Sequence, residues 1–342
     1  MRRNTNKKDI VLLTMLILAM QSFYSCASTT QKRSIYVFSP DRTHIYFGDY
    51  PQSLVEDKFL SDTLSSKTMG LPSENSKGVW NNYEYYALGL PSNYMWYVDL
   101  SYDGENYRGV YFSQYRTANI NYEQSIDNSY QDDNGFIKDN IYWFKYEPLT
   151  WKILSLDDEY ALLMSEYIVD AQAFNTSIQS LENKYFPNNY KESSIRKWLN
   201  NTFYNLAFDE RETSILQETL VDNGPSSSII DSNEYLCENT NDFVWLLSNA
   251  DTVNTSYGFS DSYTMYDEAR RIKPTDYSKC QGVYVDPKDD EYPGCATWWL
   301  RSPDWYLDDC AFLINTGGYG QGRIPVNYTH GGVVPIVKIK MN

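Results

Sequence analysis

Between Arg301 and Gly332 the chain carries Asp304, Trp305, Tyr306, Asp308, Asn315, Tyr319, Gln321, Arg323, Asn327, Tyr328 and His330. Rigid rings interleaved with short polar groups on connecting segments are suited to binding. Tyr and Trp offer large contact areas at low entropic cost, while Asn, Asp and Arg fix orientation. Trp305, Tyr306, Tyr319, Arg323 and Tyr328 are therefore the candidate ligand-binding residues, for a carbohydrate or a protein ligand. The plainer reading of the same residues is a tyrosine-rich cover over a lightly charged surface.

Reaction chemistry is harder to find. With two His and five Cys in 342 residues, a zinc enzyme is not expected. G-x-G-x-x-G, the Walker loop, H-E-x-x-H and G-x-S-x-G are all absent. The glycines from Gly317 to Gly322 lack the Lys and the following helix of a phosphate loop. Asp132-Asp133, Asp157-Asp158, Asp289-Asp290 and Asp308-Asp309 read as solvated acidic turns, since none follows EF-hand spacing. No metal and no cofactor are expected. Cys295 and Cys310 are the one thiol pair worth testing for oxidase chemistry, and their acidic neighbours raise a thiol's pKa rather than lower it. A non-enzymatic protein is the main expectation; a cell-envelope hydrolase using paired carboxylates is the alternative, because carboxylate separation is a three-dimensional quantity.

Charge narrows the partners. Lys and Arg number 29 against 45 Asp and Glu, a net charge of −16, which repels phosphate and argues against nucleic acid. Yet 16% of the residues are aromatic and 32 are Tyr, far from the composition of a disordered acidic chain.

The N-terminus addresses the compartment. Arg2, Arg3, Lys7 and Lys8 precede an uncharged apolar run from Ile10 to Met20, the layout of an export signal. That run is about half of the ~20 residues needed to span a bilayer. Phe23-Tyr24-Ser25-Cys26 follows, then a polar tether to residue 44. Residues 1–25 resemble a bacterial lipoprotein signal of the looser spirochaete type. The resemblance implies a lipid on Cys26, palmitate among its acyl chains, and a domain anchored through it to the outer membrane or cell surface. Secretion after cleavage behind Cys26-Ala27-Ser28 is the other outcome. Loss of residues 1–25 removes four basic residues and Asp9, taking the net charge from −16 to −19. Cys237, Cys280, Cys295 and Cys310 then remain, either as buried thiols or in one of three disulfide pairings.

The elements that must position these residues are mostly strands. Runs rich in Tyr, Trp, Val and Ile predict strands at 45–50, 95–102, 109–115, 141–146, 150–156, 160–168, 243–247, 297–301, 310–314 and 333–339. The acidic run Asp157 to Glu159 suits a hairpin turn. Ile195, Trp198, Leu199, Phe203 and Leu206 recur at helical spacing, which predicts an amphipathic helix over 193–208 with Trp198 buried. A second helix is expected from Asp209, with Glu212 completing a capping box and Ile215, Leu216 and Leu220 inward; a third is expected from Thr264 with Asp267. Residues 53–93 and 121–140 read as polar loops. The pattern is α+β, with antiparallel sheets and two or three helices.

Four segments in order carry a family resemblance: Ile45 to Gln52; Trp151 to Leu154 with Ala161 to Ser165; Ser194 to Asn200; and Trp298-Trp299-Leu300-Arg301-Ser302-Pro303 with Gly332-Val333-Val334-Pro335. From about Ile45 to Ile339 the chain resembles a bacterial domain-of-unknown-function family, number six-two-seven-three. Its closing layout is also similar to C-type-lectin-like folds of the formylglycine-generating kind, which implies a lectin-like core over about 141–342 after a strand-rich extension over about 45–140, in a single domain. In such folds the late loops carry ligand, which agrees with the candidate ligand-binding residues. The calcium-dependent sugar motif of true C-type lectins is missing. Trp198 and Trp299 are expected as core anchors. Arg301 is expected as a buried structural charge, held by a carboxylate or by backbone carbonyls.

Overall fold

Runs of aromatic and apolar residues build a nine-stranded and a five-stranded sheet, beside a separate two-stranded pair. The computed structural model describes residues 34–72, 78–83, 94–116, 130–178, 185–230, 232–286 and 290–341. The proposed signal and Cys26 lie outside them, as do 73–77, 84–93 and 121–129 of the expected loops. The strands and helices of the described residues all fall within the unit Tyr36–Asn342.

In chain order the strands are β1 Val37–Phe38, β2 His44–Leu54, β3 Asn81–Asn82, β4 Met95–Tyr102, β5 Glu105–Phe112, β6 Ile141–Leu156, β7 Tyr160–Ser165, β8 Asp170–Ala171, β9 Thr219–Val221, β10 Thr240–Asp242, β11 Val244–Trp245, β12 Trp298–Pro303, β13 Cys310–Ile314, β14 Gly320–Pro325, β15 Gly332–Val333 and β16 Ile336–Lys340. The helices are short: α1 Lys58–Ser66, α2 Tyr130–Asp133, α3 Ser194–Trp198, α4 Tyr204–Ala207, α5 Glu210–Thr213 and α6 Asp276–Cys280. The fold is α+β with mainly antiparallel sheets.

A nine-stranded sheet is ordered β11-β16-β7-β6-β5-β4-β3, with β2 and then β1 branching from β6. Strand β6 is the spine. Phe144 pairs with both Arg108 of β5 and Leu54 of β2, and Trp151 pairs with both Ser165 of β7 and Ile45 of β2. Hence β2 lies along one edge of β6, while β5 and β7 share the other edge end to end. The sequence suggests two strands separated around Pro148, but β6 runs straight through. Between 146 and 150 it has β2 on one side and no named strand on the other, so a missing N–H breaks no second ladder. A five-stranded sheet is ordered β14-β13-β12-β15-β8, all antiparallel except β12 with β15.

Both cores rest on buried tryptophans. Under the large sheet Leu64, Trp80, Trp96, Val98, Tyr107, Tyr111 and Trp143 form one cluster. Gly109 makes room for the Trp143 ring, which a Cβ there would meet at 2.8 Å. In the small sheet every residue of β12 is buried, and a Cβ on Gly331 would sit 2.1 Å from Trp299 Nε1. The glycines from Gly317 to Gly332 suggest positive-φ turns, yet only Gly318 takes that conformation; the role of Gly331 is close approach.

Several local expectations hold. Asp157 makes the β6–β7 turn by accepting the N–H groups of Glu159 and Tyr160 at 2.8 Å. Asp209 and Glu212 form the expected capping box. Others need correction. Helix α5 stops at Thr213, and Leu220 lies on β9 with 67% of its surface exposed. From Thr264 no α-helix starts; Asp267 caps a single 3-10 turn, Glu268–Arg270. The polar stretch 53–93 contains α1, capped by Asp57 and packed through Leu64, and 121–140 contains α2.

Candidate functional site

The residues singled out from sequence do not converge on one place. Arg301 is buried on β12, its Nη1 donating to the Leu246 carbonyl at 2.7 Å and to Asp251 Oδ2 at 2.6 Å, and its Nη2 to the Asp222 carbonyl at 3.0 Å. It ties three segments together and presents nothing to solvent. Trp299 is fully buried and donates to the Gln172 carbonyl. Trp305, Tyr306 and Arg323 do come together: Trp305 packs on Phe312 with centroids 4.7 Å apart, and the Arg323 guanidinium lies 5.4 Å from the ring centre of Tyr306, which is 65% exposed. Buried Asp304 shapes this corner by accepting the N–H groups of Tyr306 and Arg323. Tyr319 instead meets Tyr266, which stacks on Tyr292. Tyr328 turns toward Trp299 and His330.

Thiol chemistry finds no support. No disulfide joins Cys237, Cys280, Cys295 and Cys310. Burial and the neighbouring Asp309 push the Cys310 thiol up to about 12, so it is not a nucleophile near neutral pH. Among the described residues no group of three or more His, Cys, Asp or Glu is placed to hold a metal. None of the described helices is long and apolar enough to cross a membrane.

A concavity lies elsewhere, a cavity of about 430 Å³ where β2, β4 and β5 of the large sheet meet β8, α6 and the helical stretch 194–207. Its floor is charged, with Arg108, Arg116 and Asp170 buried and the Asp99 side chain 41% exposed. A two-residue turn at Asp103 and Gly104, with φ of +52° and +81°, sets the β4–β5 register. Counting outward from it pairs Tyr102 with Glu105 and Asp99 with Arg108. Arg108 donates to both carboxylate oxygens of Asp99, at 2.8 and 2.7 Å. The same guanidinium lies 4.3 Å from the ring centre of Tyr97 and within 6.0 Å of those of Tyr146 and Tyr277. Arg108 Nη1 reaches the Tyr277 hydroxyl at 3.3 Å, and that hydroxyl bonds to Tyr83 at 3.0 Å.

Beside it sits a second charged pair of residue types. Asp170, fully enclosed on β8, accepts from the Tyr50 hydroxyl at 2.7 Å, from the Ala171 N–H at 2.7 Å and from Gln172 Nε2 at 3.1 Å. Burial raises its pKa, against the opposing effects of Arg116 and the Tyr50 hydrogen bond. Arg116 donates to the Ala171 carbonyl at 2.5 Å and to Gln281 at 2.9 Å. Burial likewise raises the phenols of Tyr50 and Tyr277, so these rings stay neutral donors.

The rim is different in character. Trp198, Leu206, Tyr83, Tyr97, Asn82 and Gln172 are half-buried, and Thr202 and Asn205 are exposed. The chain folds locally to give this. Helix α3 passes into a π-helical turn, Leu199–Phe203, before α4. The wider turn breaks the regular spacing, leaving Ile195, Leu199 and Phe203 in the core while Trp198 lines the cavity. Such turns recur at functional sites. Trp198 is half-buried: one side of it packs on the fully buried Phe203, with ring centroids 5.6 Å apart, and it also lines the cavity.

Sequence reasoning did not single out this cavity. One signal was present, the Asp103-Gly104 turn, from which the Asp99–Arg108 pair follows by counting. Another was a lone Asp170 within an apolar run. Half of the lining comes from before residue 117 and half from after residue 169, and no local pattern links the two.

No curated protein and no solved structure matches the chain. The family model described as a domain of unknown function, DUF6273, matches residues 158–341. The signature segments at Ile45 and Trp151 lie before that match, whereas Ser194 to Asn200, β12 and the cavity residues from Asp170 to Tyr277 lie inside it. With more than half its length matched, the chain belongs to the DUF6273 family.

Proposed function

We propose that the chain is an exported, lipid-anchored and non-enzymatic binding protein of the cell envelope, whose lectin-like domain takes a carbohydrate ligand in the cavity between its two larger sheets. One observation carries the reading: the cavity joins a floor of hydrogen-bonded charged groups to a half-exposed rim of Trp, Tyr and amide side chains. Ligand pockets combine apolar and aromatic walls with a few fixed polar groups. The Trp305, Tyr306 and Arg323 corner is a separate exposed patch suited to a protein contact. The export layout at residues 1–25 and the small Ser25 before Cys26 support the anchor. Cys26→Ala should abolish labelling by a palmitate analogue; labelling that continues overturns the anchor. A glycan array probed with the full chain tests the ligand, and binding lost in Trp198→Ala is the expected result.

A hydrolase is the second reading, favoured by the two carboxylates, Asp99 and Asp170, that line one cavity. Their bonding speaks against it. Asp99 holds Arg108 with both oxygens and accepts from Tyr146 at 2.9 Å, and Asp170 is engaged at both oxygens. An acid and a base in glycoside hydrolysis must reach the substrate or a water. Turnover of chromogenic glycosides, lost in Asp170→Asn, would establish the hydrolase instead.

A further inference from the structure

The carbohydrate reading leaves open what kind of sugar fits, and the charges of the lining address that. Two guanidinium groups and two carboxyl groups line the cavity, so their formal charges cancel. Neither guanidinium is offered to an incoming anion. Arg108 is held by Asp99 and bracketed by tyrosine rings, and Arg116 is held by the Ala171 carbonyl and Gln281. Asp170 is enclosed and accepts at both oxygens, and Asp99, 41% exposed on its side chain, has its charge matched by Arg108 on both oxygens. A charged ligand would lose its hydration without gaining a free counter-charge, which makes its burial costly.

What remains available is ring surface and neutral hydrogen bonding. Trp198 and Tyr97 present half-buried rings, and Thr202, Asn205 and Gln172 supply hydroxyl and amide groups at the rim. A pyranose matches this pairing, with C–H groups on its faces and hydroxyls around its edge. The volume of about 430 Å³ lies at the lower end of the roughly 300–1,000 Å³ typical of small-molecule sites, which suits one or two rings rather than a long chain.

Resting on the carbohydrate reading, we propose that this cavity binds an uncharged mono- or disaccharide, a hexose or N-acetylhexosamine, by stacking on Trp198 and hydrogen bonding to the amide and hydroxyl rim. Calorimetric titration of the full chain with glucose, N-acetylglucosamine and N,N′-diacetylchitobiose tests it against glucuronate, glucosamine and adenosine. A neutral sugar should bind, with affinity changed by less than about twofold on adding ~0.5 M salt, because no free ion pair forms. Trp198→Ala should weaken binding by roughly tenfold and Trp198→Phe by less, as one stacked ring is lost or reduced. Far-UV circular dichroism would show that both variants stay folded, and Asn205→Ala gives an independent rim variant. Preference for glucuronate or glucosamine, lost in Trp198→Ala, overturns the neutral class while the carbohydrate reading survives. Preference for adenosine, or no saccharide binding by the folded chain, overturns both.

Discussion

His330 makes the stability of this protein sensitive to mild acid. Its ring is fully buried, and its Nδ1 lies 2.6 Å from the Gly282 carbonyl. A carbonyl only accepts, so Nδ1 carries the proton and Nε2 is left as a bare lone pair, buried and without a partner among the described residues. Tyr130 and Tyr328 stand edge-on around it, and Arg116 adds like charge. Burial therefore lowers the His330 pKa from 6.5 to about 3. The folded state holds the neutral ring while the unfolded chain takes up a proton as the pH falls below 6.5, so the stabilisation is complete above that value. It declines between pH 6.5 and 3, by about 2 kcal/mol at about pH 5 and about 5 kcal/mol in all. His330→Asn places an amide nitrogen where Nδ1 was and keeps the donor to Gly282. The variant loses packing at every pH but loses the titration altogether. Urea unfolding at about pH 7 and about pH 5 should show the parent chain losing about 2 kcal/mol more than the variant. Equal losses in the two proteins would refute the reasoning and mean that Nε2 reaches an acceptor or solvent.

Three more outcomes are expected. Arg301→Met should cost about 3–5 kcal/mol in chemical denaturation, because it takes the counter-charge from the Asp251 carboxylate, which keeps only the Ser248 N–H at that oxygen, and the guanidinium from the Leu246 and Asp222 carbonyls; a loss near zero would mean that water replaces the guanidinium. Asp170 has a raised pKa, so its contribution to stability is full below pH 3.8 and is lost as pH rises through the folded value. Asp170→Asn should accordingly gain on the parent chain at neutral pH and lose that gain in acid, read by unfolding curves at both ends; a penalty confined to neutral pH would contradict this. Cys310 should resist iodoacetamide at about pH 8 in the folded chain and react once urea unfolds it, with mass spectrometry identifying the site; rapid native labelling would show an accessible thiolate.

How far the sequence goes differs by level. Strands β4 and β13 have the bounds that their aromatic and apolar runs predict, and the Asp209–Glu212 capping box follows from side-chain types three residues apart. These are local matters. The helix at 194–207 is legible as periodicity, but its π turn is not, because a single widened turn alters which side chain faces inward without altering composition. Pro148 reads as a break and is not one, since whether a missing N–H matters depends on neighbours that only the sheet order supplies. The late loops illustrate the same limit. Composition marks Trp305, Tyr306, Tyr319, Arg323 and Tyr328 as one face, while the strand twists and turns between them send Tyr319 and Tyr328 to different neighbours. The cavity is the extreme case, assembled from residues as distant in sequence as Tyr50 and Tyr277.

The central claim is that the Trp198 cavity is where a saccharide binds. Fluorescence-monitored titration of the full chain and of Trp198→Ala with N-acetylglucosamine and N,N′-diacetylchitobiose measures that directly. Saturable binding by the parent chain, weakened roughly tenfold in the variant, is the predicted result; equal binding by the two proteins, or binding by neither, would contradict it.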